Sequence, residues 1–238
     1  MTKTAPKSRR PAPPVAPASL LQRQAQSLRR ELRRDGDPTL PEVFAGLGRA
    51  DAIAIIDEAI AAGAPHLVEG LDAWSQPGVF AWDRIDAGSA LLAGTMPPLK
   101  GAGADLGCGY GALATVVLRS AAVTSLRLVD LDRRAVEAAR RNVEDARASF
   151  DWADTRTLEA GDGLDFIVMN PPFHDGGAED RRLGQAFIRK AAEMLKKGGV
   201  LWLVANRHLP YEAELKEAFK RVTPAGDGGP YKLFECVK

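Results

Sequence analysis

Asn170-Pro171-Pro172-Phe173-His174 puts a side-chain amide, a backbone carbonyl fixed by prolines and an aromatic ring within five residues. Such a set can accept hydrogen bonds from a planar amino group and stack on the flat group that carries it. The Asn170 oxygen and the Pro171 carbonyl are the acceptors, and proline aims that carbonyl by restricting φ. Phe173 offers the stacking face. His174 either lines the same pocket, shuttles a proton or only hydrogen-bonds the loop. Upstream, Ala104-Asp105-Leu106-Gly107-Cys108-Gly109-Tyr110-Gly111 is a glycine-rich loop after a short apolar run. Its glycines permit a tight turn and close approach of the backbone to a ligand. By itself the loop suits a dinucleotide site, a nucleoside site or a plain strand-to-helix turn. No Gly-Lys-Ser/Thr follows it, which argues against a nucleoside triphosphatase. Asp130 lies about 20 residues beyond the glycines, where an acid can accept hydrogen bonds from ribose hydroxyls or cap the next helix. Asp154 follows a third apolar stretch and can accept a hydrogen bond or cap a turn.

The elements that must position these groups alternate as in a doubly wound α/β fold. Phe166-Ile167-Val168-Met169 has the length and apolarity of a strand buried on both faces of a parallel sheet. It cannot run through Pro171 and Pro172, so the chain leaves the sheet at Asn170, at the end where such sheets bind ligands. Strands are predicted over about 103–106, 126–130, 149–153, 166–170 and 200–205. Helices are expected from Ser89 and over about 112–120, 133–145, 177–197 and 211–220, with Gly198-Gly199 as the stop of the fourth. Residues 222–224 and 231–237 read as a closing antiparallel hairpin, which a plain dinucleotide-binding sheet lacks.

Taken together and in order, DLGCGYG, VDLD and NPPFH resemble the class I S-adenosylmethionine-dependent methyltransferases. The run IVMNPPFHDG, with PGVFAWDRIDAGSALL before it and VANRHLPY after it, is most similar to the RsmC/RlmG-type ribosomal RNA guanine-N2 methyltransferases. The resemblance covers roughly residues 76–238 and implies a Rossmann-like, seven-stranded class I methyltransferase sheet with a C-terminal antiparallel hairpin. It implies S-adenosyl-L-methionine as cofactor, held by Asp105, Gly107, Gly109, Gly111, Asp130, Leu131, Asp154 and Asn170. Asp105 would hold the loop or reach the cofactor ammonium through water. Asp154 would meet the adenine amino group. It further implies Asn170, Pro171 and Phe173 as the catalytic set, with Pro172, Phe173 and His174 against the substrate. Phe80 and Asp83 are candidates for a segment closing over the cofactor, with Phe80 equally readable as an apolar staple. Asn206, Arg207 and His208 are candidate substrate contacts, and His66 reads as structural. Members of that family carry a second, degenerate methyltransferase-like domain ahead of the catalytic one, for which this chain is too short.

Composition bounds the rest. The formal charge of 238 residues is only +1, so no global basic field announces nucleic acid. Yet residues 1–34 hold nine Lys or Arg against the single acid Glu31, an arm for a polyanion or a solvated tail. Residues 1–18 are expected to be a disordered basic Pro/Ala-rich tail, 19–75 a helical N-terminal extension and 76–238 the catalytic domain. Cys108 and Cys236 form neither metal-ligand spacing nor a disulfide framework, so no metal is expected and a reducing cytoplasm fits. No apolar run reaches membrane-spanning length and no secretory signal is visible. The acid-poor opening has the composition of a transit peptide, but its prolines oppose the helix one needs. The expected partner is RNA, most simply ribosomal RNA. The same chemistry on adenine N6 or on a protein glutamine is the alternative, as is a non-catalytic cofactor-binding ribosome-assembly factor. An NAD-dependent oxidoreductase is disfavoured by the closing hairpin and the Asn-Pro-Pro-Phe run.

Overall fold

The chain alternates strand and helix because its apolar residues alternate between two periods. Four-residue runs such as Phe166–Met169 are too short for a helix and too apolar for a half-exposed strand. The computed structural model describes residues 64–161, 163–172 and 178–238. The helices expected over about 19–62, and the basic arm, lie outside the described residues. In chain order the elements are β1 (His66–Val68), β2 (Ala73–Ser75), α1 (Ala87–Thr95), β3 (Gly101–Leu106) and α2 (Ala112–Val117). They continue with β4 (Val123–Asp130), α3 (Arg133–Asn142), β5 (Ala148–Trp152), β6 (Leu164–Met169), α4 (Ala178–Met194) and β7 (Leu195–Asn206). The chain closes with α5 (Glu212–Ala218), β8 (Arg221–Gly228) and β9 (Tyr231–Val237).

Seven strands form one sheet in the order β5-β4-β3-β6-β7-β9-β8. β5, β4, β3, β6 and β7 run parallel, and β9 pairs antiparallel with both β7 and β8. The order reverses between β3 and β6, so their carboxyl ends open a crevice at the switch point. Both faces of the sheet are covered. Ile167 and Met169 join Leu106, Val129, Leu201 and Leu203 against Phe187, Ile188 and Ala191 of α4. Phe166 and Val168 face the other way, onto Leu92, Leu113, Val117 and Ala139 of α1, α2 and α3. The two-residue period of β6 therefore serves two cores, as its unbroken apolarity requires. Gly103 is demanded by this packing, since a Cβ there would lie 2.2 Å from the Phe166 ring.

Two expectations change. Residues 66–75, placed in a helical extension by their sequence, form the β1–β2 hairpin, and Pro65–Lys238 is a compact unit of its own. Asn142 draws the hairpin onto α3: its side chain accepts from the Trp74 amide at 2.6 Å and donates to the carbonyls of Trp74 (2.9 Å) and Tyr110 (2.8 Å). Gly198-Gly199 does not stop α4, which ends at Met194. A Cβ on Gly199 would lie 2.7 Å from the Leu164 carbonyl, and the β6–β7 register shifts between Leu164 and Phe166. The glycines serve that close strand approach instead.

Candidate active site

The glycine loop leaves β3 and is folded back by its own backbone. The amides of Gly107 and Cys108 donate to the Val129 carbonyl at 2.9 and 3.0 Å, and the Gly111 amide donates to the Cys108 carbonyl at 2.9 Å. Gly111 enters α2 at φ +92°, and a Cβ there would lie 3.0 Å from Val143 Cγ2, so both backbone and packing call for glycine. Gly109 faces open space, with nothing within 4 Å of where its Cβ would be.

Two carboxylates sit beneath this loop. Asp130, the last residue of β4, accepts from the Gly109 amide at 2.9 Å through one oxygen and from the Asp132 amide at 2.8 Å through the other. The helix cap belongs to Asp132, whose carboxylate accepts from the Arg134 amide at 2.9 Å. Asp130 therefore braces the loop, and each oxygen keeps a second acceptor position for a hydroxyl. Burial raises its pKa above the ordinary carboxyl value. Asp105, one strand over in β3, is wholly buried and neither of its oxygens makes a well-formed hydrogen bond, the Ala114 amide being too poorly placed to do more than weakly favour ionisation. Its pKa is pushed up to about 8, first by desolvation, then by the nearby Asp130, with the Ala114 amide opposing the rise. Burial also pushes up the Cys108 thiol, which removes it as a nucleophile.

Asn170 stands at the end of β6 beside this loop. Gly107 approaches it closely: a Cβ there would meet Phe187, the Asn170 carbonyl and Pro172 at 3.6–3.9 Å. The Asn170 carboxamide nitrogen donates to Asp86 Oδ2 at 2.8 Å and to Ser89 Oγ at 3.0 Å. Asp86 is the N-cap of α1 and accepts from the Ser89 amide at 2.7 Å. Pro171 is buried and Pro172 half-buried. Phe173 and His174 lie outside the described residues.

The remaining expected residues divide. Leu131 is 66% exposed beside Trp152, itself 63% exposed, and the Trp152 indole donates to the Leu131 carbonyl at 2.9 Å. Together they make an apolar shelf at the ends of β4 and β5. Asp154 caps the 3-10 turn Thr155–Thr157, accepts from the Arg156 amide at 2.9 Å and pairs with the Arg156 guanidinium at 2.6 Å. That pairing holds its carboxyl below the ordinary value. Phe80 is half exposed, while its neighbour Val79 is buried against Tyr110, Ala135 and Ala138. Asp83 pairs with Arg84 at the surface. Arg207 donates to the carbonyls of Gly229 and Tyr231, so it ties the β8–β9 turn. His66 meets Trp82 edge-on, with ring centroids 5.8 Å apart. Sequence reading passed over Asp86, Ser89 and Asn142. An N-cap signal marks Asp86 at the head of an apolar helix, but nothing local links it to Asn170.

The crevice offers a buried unpartnered carboxylate, a carboxylate with free acceptor positions, an open glycine, and an apolar shelf. These suit a cationic adenosyl compound: Asp105 toward positive charge, Asp130 toward a ribose diol, Leu131 and Trp152 toward the flat base. No phosphate-cradling groups are needed or present in the loop. Among the described residues no cluster of three or more His, Cys, Asp or Glu could hold a metal, and no helix is long and apolar enough to cross a membrane.

This sheet order, with its reversed last pair and its glycine loop at the switch point, is that of a class I methyltransferase domain. A family model of the methyltransferase small domain matches residues 70–235, and the chain belongs to that family. It is 33% identical over 158 residues to ribosomal RNA small subunit methyltransferase C of Shewanella sediminis, covering 66% of this chain and 46% of that protein. It is 36% identical over 174 residues to the protein of the same name from Escherichia coli O1:K1, covering 72% and 51%. Among solved structures it resembles the T. thermophilus 16S rRNA N2 methyltransferase (RsmC) in complex with AdoMet and guanosine. That match has a TM-score of 0.62 and 32% identity, over 74% of this chain and 50% of that one. The chain spans about half the length of the curated relatives it matches.

Proposed function

We infer that this chain methylates the exocyclic N2 amino group of a guanine in ribosomal RNA, using S-adenosylmethionine. The observation that carries the reading is the Asn170 carboxamide: its nitrogen is held by Asp86 and Ser89, which leaves its oxygen as the acceptor next to the glycine loop. Family membership and the names of the relatives support the same reading. When bound, S-adenosylmethionine supplies a methyl group made electrophilic by its sulfonium. Asp105 offsets the positive charge, Asp130 accepts from the ribose hydroxyls, and Leu131 with Trp152 floors the adenine. Asp154 acts through the turn it caps.

An exocyclic amino nitrogen is a poor nucleophile because its lone pair is conjugated into the base. A strong base is unnecessary if two acceptors hold both N–H bonds and aim the lone pair. The Asn170 oxygen and the Pro171 carbonyl are the two acceptors, and positioning of this type can supply a large share of a rate. The base must leave its stack to reach them, and Phe173 receives it by stacking. Nine Lys or Arg in residues 1–34 supply an arm for the RNA backbone. A cytoplasmic site follows from a ribosomal substrate.

The test is transfer of labelled methyl from S-adenosylmethionine to small-subunit RNA and to assembled subunits from cells lacking this protein, with mass spectrometry of the nucleosides. N2-methylguanosine is the expected product. Label on adenosine, on protein glutamine, or on nothing despite bound cofactor would overturn the guanine assignment.

A further inference from the structure

The Asn170 carboxamide carries two N–H bonds, and both are taken by one distant turn of helix. Asp86 Oδ2 accepts at 2.8 Å and Ser89 Oγ at 3.0 Å, from positions 84 and 81 residues earlier in the chain. An ionised carboxylate can only accept. Were the carboxamide turned by half a revolution, its oxygen would face the Asp86 oxygen and that bond would become a repulsion, even though the Ser89 hydroxyl can donate as well as accept. The amide oxygen therefore has one direction, away from α1.

The turn that does this is itself fixed. Asp86 Oδ2 also accepts from the Ser89 amide at 2.7 Å, so the capping oxygen and the oxygen that holds Asn170 are the same atom. Ser89 is buried, as is Gly88. A Cβ on Gly88 would lie 2.9 Å from the Tyr231 ring of β9 and 3.1 Å from Asp86 Oδ2, so the turn is wedged between the closing hairpin and Asn170. A cap alone explains the bond to the Ser89 amide. It does not explain two acceptors converging on one carboxamide from a helix that precedes the whole glycine loop.

We propose that Asp86, with Ser89, is the positioning pair that orients Asn170 so that its oxygen meets the methyl-accepting amino group. The inference rests on the methyl-transfer reading above. Asp86 touches neither the methyl group nor the amino group; it acts through Asn170.

Three variants separate positioning from capping. Asp86→Ser retains a capping hydroxyl but is too short to reach Asn170. Asp86→Asn retains an oxygen that can take both bonds. Ser89→Ala removes the second acceptor and leaves the backbone amide in place. Single-turnover methyl transfer at saturating S-adenosylmethionine, cofactor Kd and Tm are measured for each beside the wild type. Asp86→Ser is expected to lose at least about tenfold in rate, Ser89→Ala about threefold, and Asp86→Asn to stay within about threefold of wild type. Cofactor Kd is expected to stay within about twofold throughout, since the pair makes no cofactor contact in this account. An unchanged rate in Asp86→Ser, a loss in Asp86→Asn equal to that in Asp86→Ser, or a rate loss that follows Kd would overturn the proposal. If Asp86→Ser fails to fold, Ser89→Ala decides: a wild-type rate there refutes the pair. An inactive wild type would bring down the methyl-transfer reading itself, whereas active wild type with unaffected variants brings down the positioning alone.

Discussion

The two sides of the crevice are built by opposite means. The glycine loop is held from within its own βαβ unit: the Val129 and Cys108 carbonyls and the Asp130 carboxylate take the amides of residues 107, 108, 109 and 111. Its surplus is a buried carboxyl, Asp105, which no well-formed hydrogen bond satisfies and the Ala114 amide only partly offsets. Asn170 is held by side chains from α1, more than 80 residues away, and its neighbours Pro171 and Pro172 fix only the backbone. One side presents a rigid surface over a buried carboxyl that a bound cation would help to ionise. The other presents one atom with a fixed direction, fit to aim a nucleophile.

If that division holds, damage to each side should show in a different quantity. The largest effect belongs to Asn170→Ala, which should cut single-turnover methyl transfer at saturating cofactor by about a hundredfold or more; a rate within threefold of wild type would remove Asn170 from its role. Next comes Asp130→Ala. It frees the Gly109 and Asp132 amides and should weaken cofactor affinity at least about tenfold while sparing the saturated rate. A lower Tm with unaltered affinity would make Asp130 a loop brace only.

Asp105→Asn probes the buried carboxyl. The folded protein holds this proton up to about pH 8, whereas the unfolded chain releases it near the ordinary value of 3.8. Across that window the native state binds more protons, so this group makes stability fall as pH rises. Asn should flatten that part of the Tm-against-pH curve and raise Tm at pH 8. Cofactor affinity should climb with pH in the wild type, as a bound cation favours the ionised form, and lose that climb in the variant. An identical pH profile in both proteins would mean that Asp105 does not titrate as described. The smallest effect is expected for Asp154→Ala. Its carboxylate is spent on Arg156 and its own turn, so about 1 kcal/mol of capping should go while cofactor affinity stays within about twofold. A larger affinity loss would restore a direct contact with the adenine.

These differences also decide what could be read without a structure. The β6 run, the glycine loop and Asp130 are local: each interaction closes within one βαβ unit, so residue types and spacing carry it. The strands of the parallel part and the closing hairpin were legible in local residue patterns, while the seven-stranded arrangement came from the resemblance to class I methyltransferases. Asp86 was not, because its partner lies beyond a whole βαβ unit and its own local signal is a helix cap. Gly198-Gly199 misled because a glycine pair after an apolar helix looks like a stop, while here it admits a close carbonyl from β6. Arg207 looked free for substrate, yet a carbonyl-rich turn folds back to claim it.

The most direct test of the division is one preparation of Asn170→Ala measured twice. Its methyl transfer to ribosomal RNA is followed at saturating S-adenosylmethionine, and its affinity for that cofactor is taken by calorimetric titration. Transfer should be all but gone, with cofactor affinity within about twofold of wild type. Cofactor affinity lost in step with the rate would contradict the division, and would make Asn170 part of the cofactor side of the crevice.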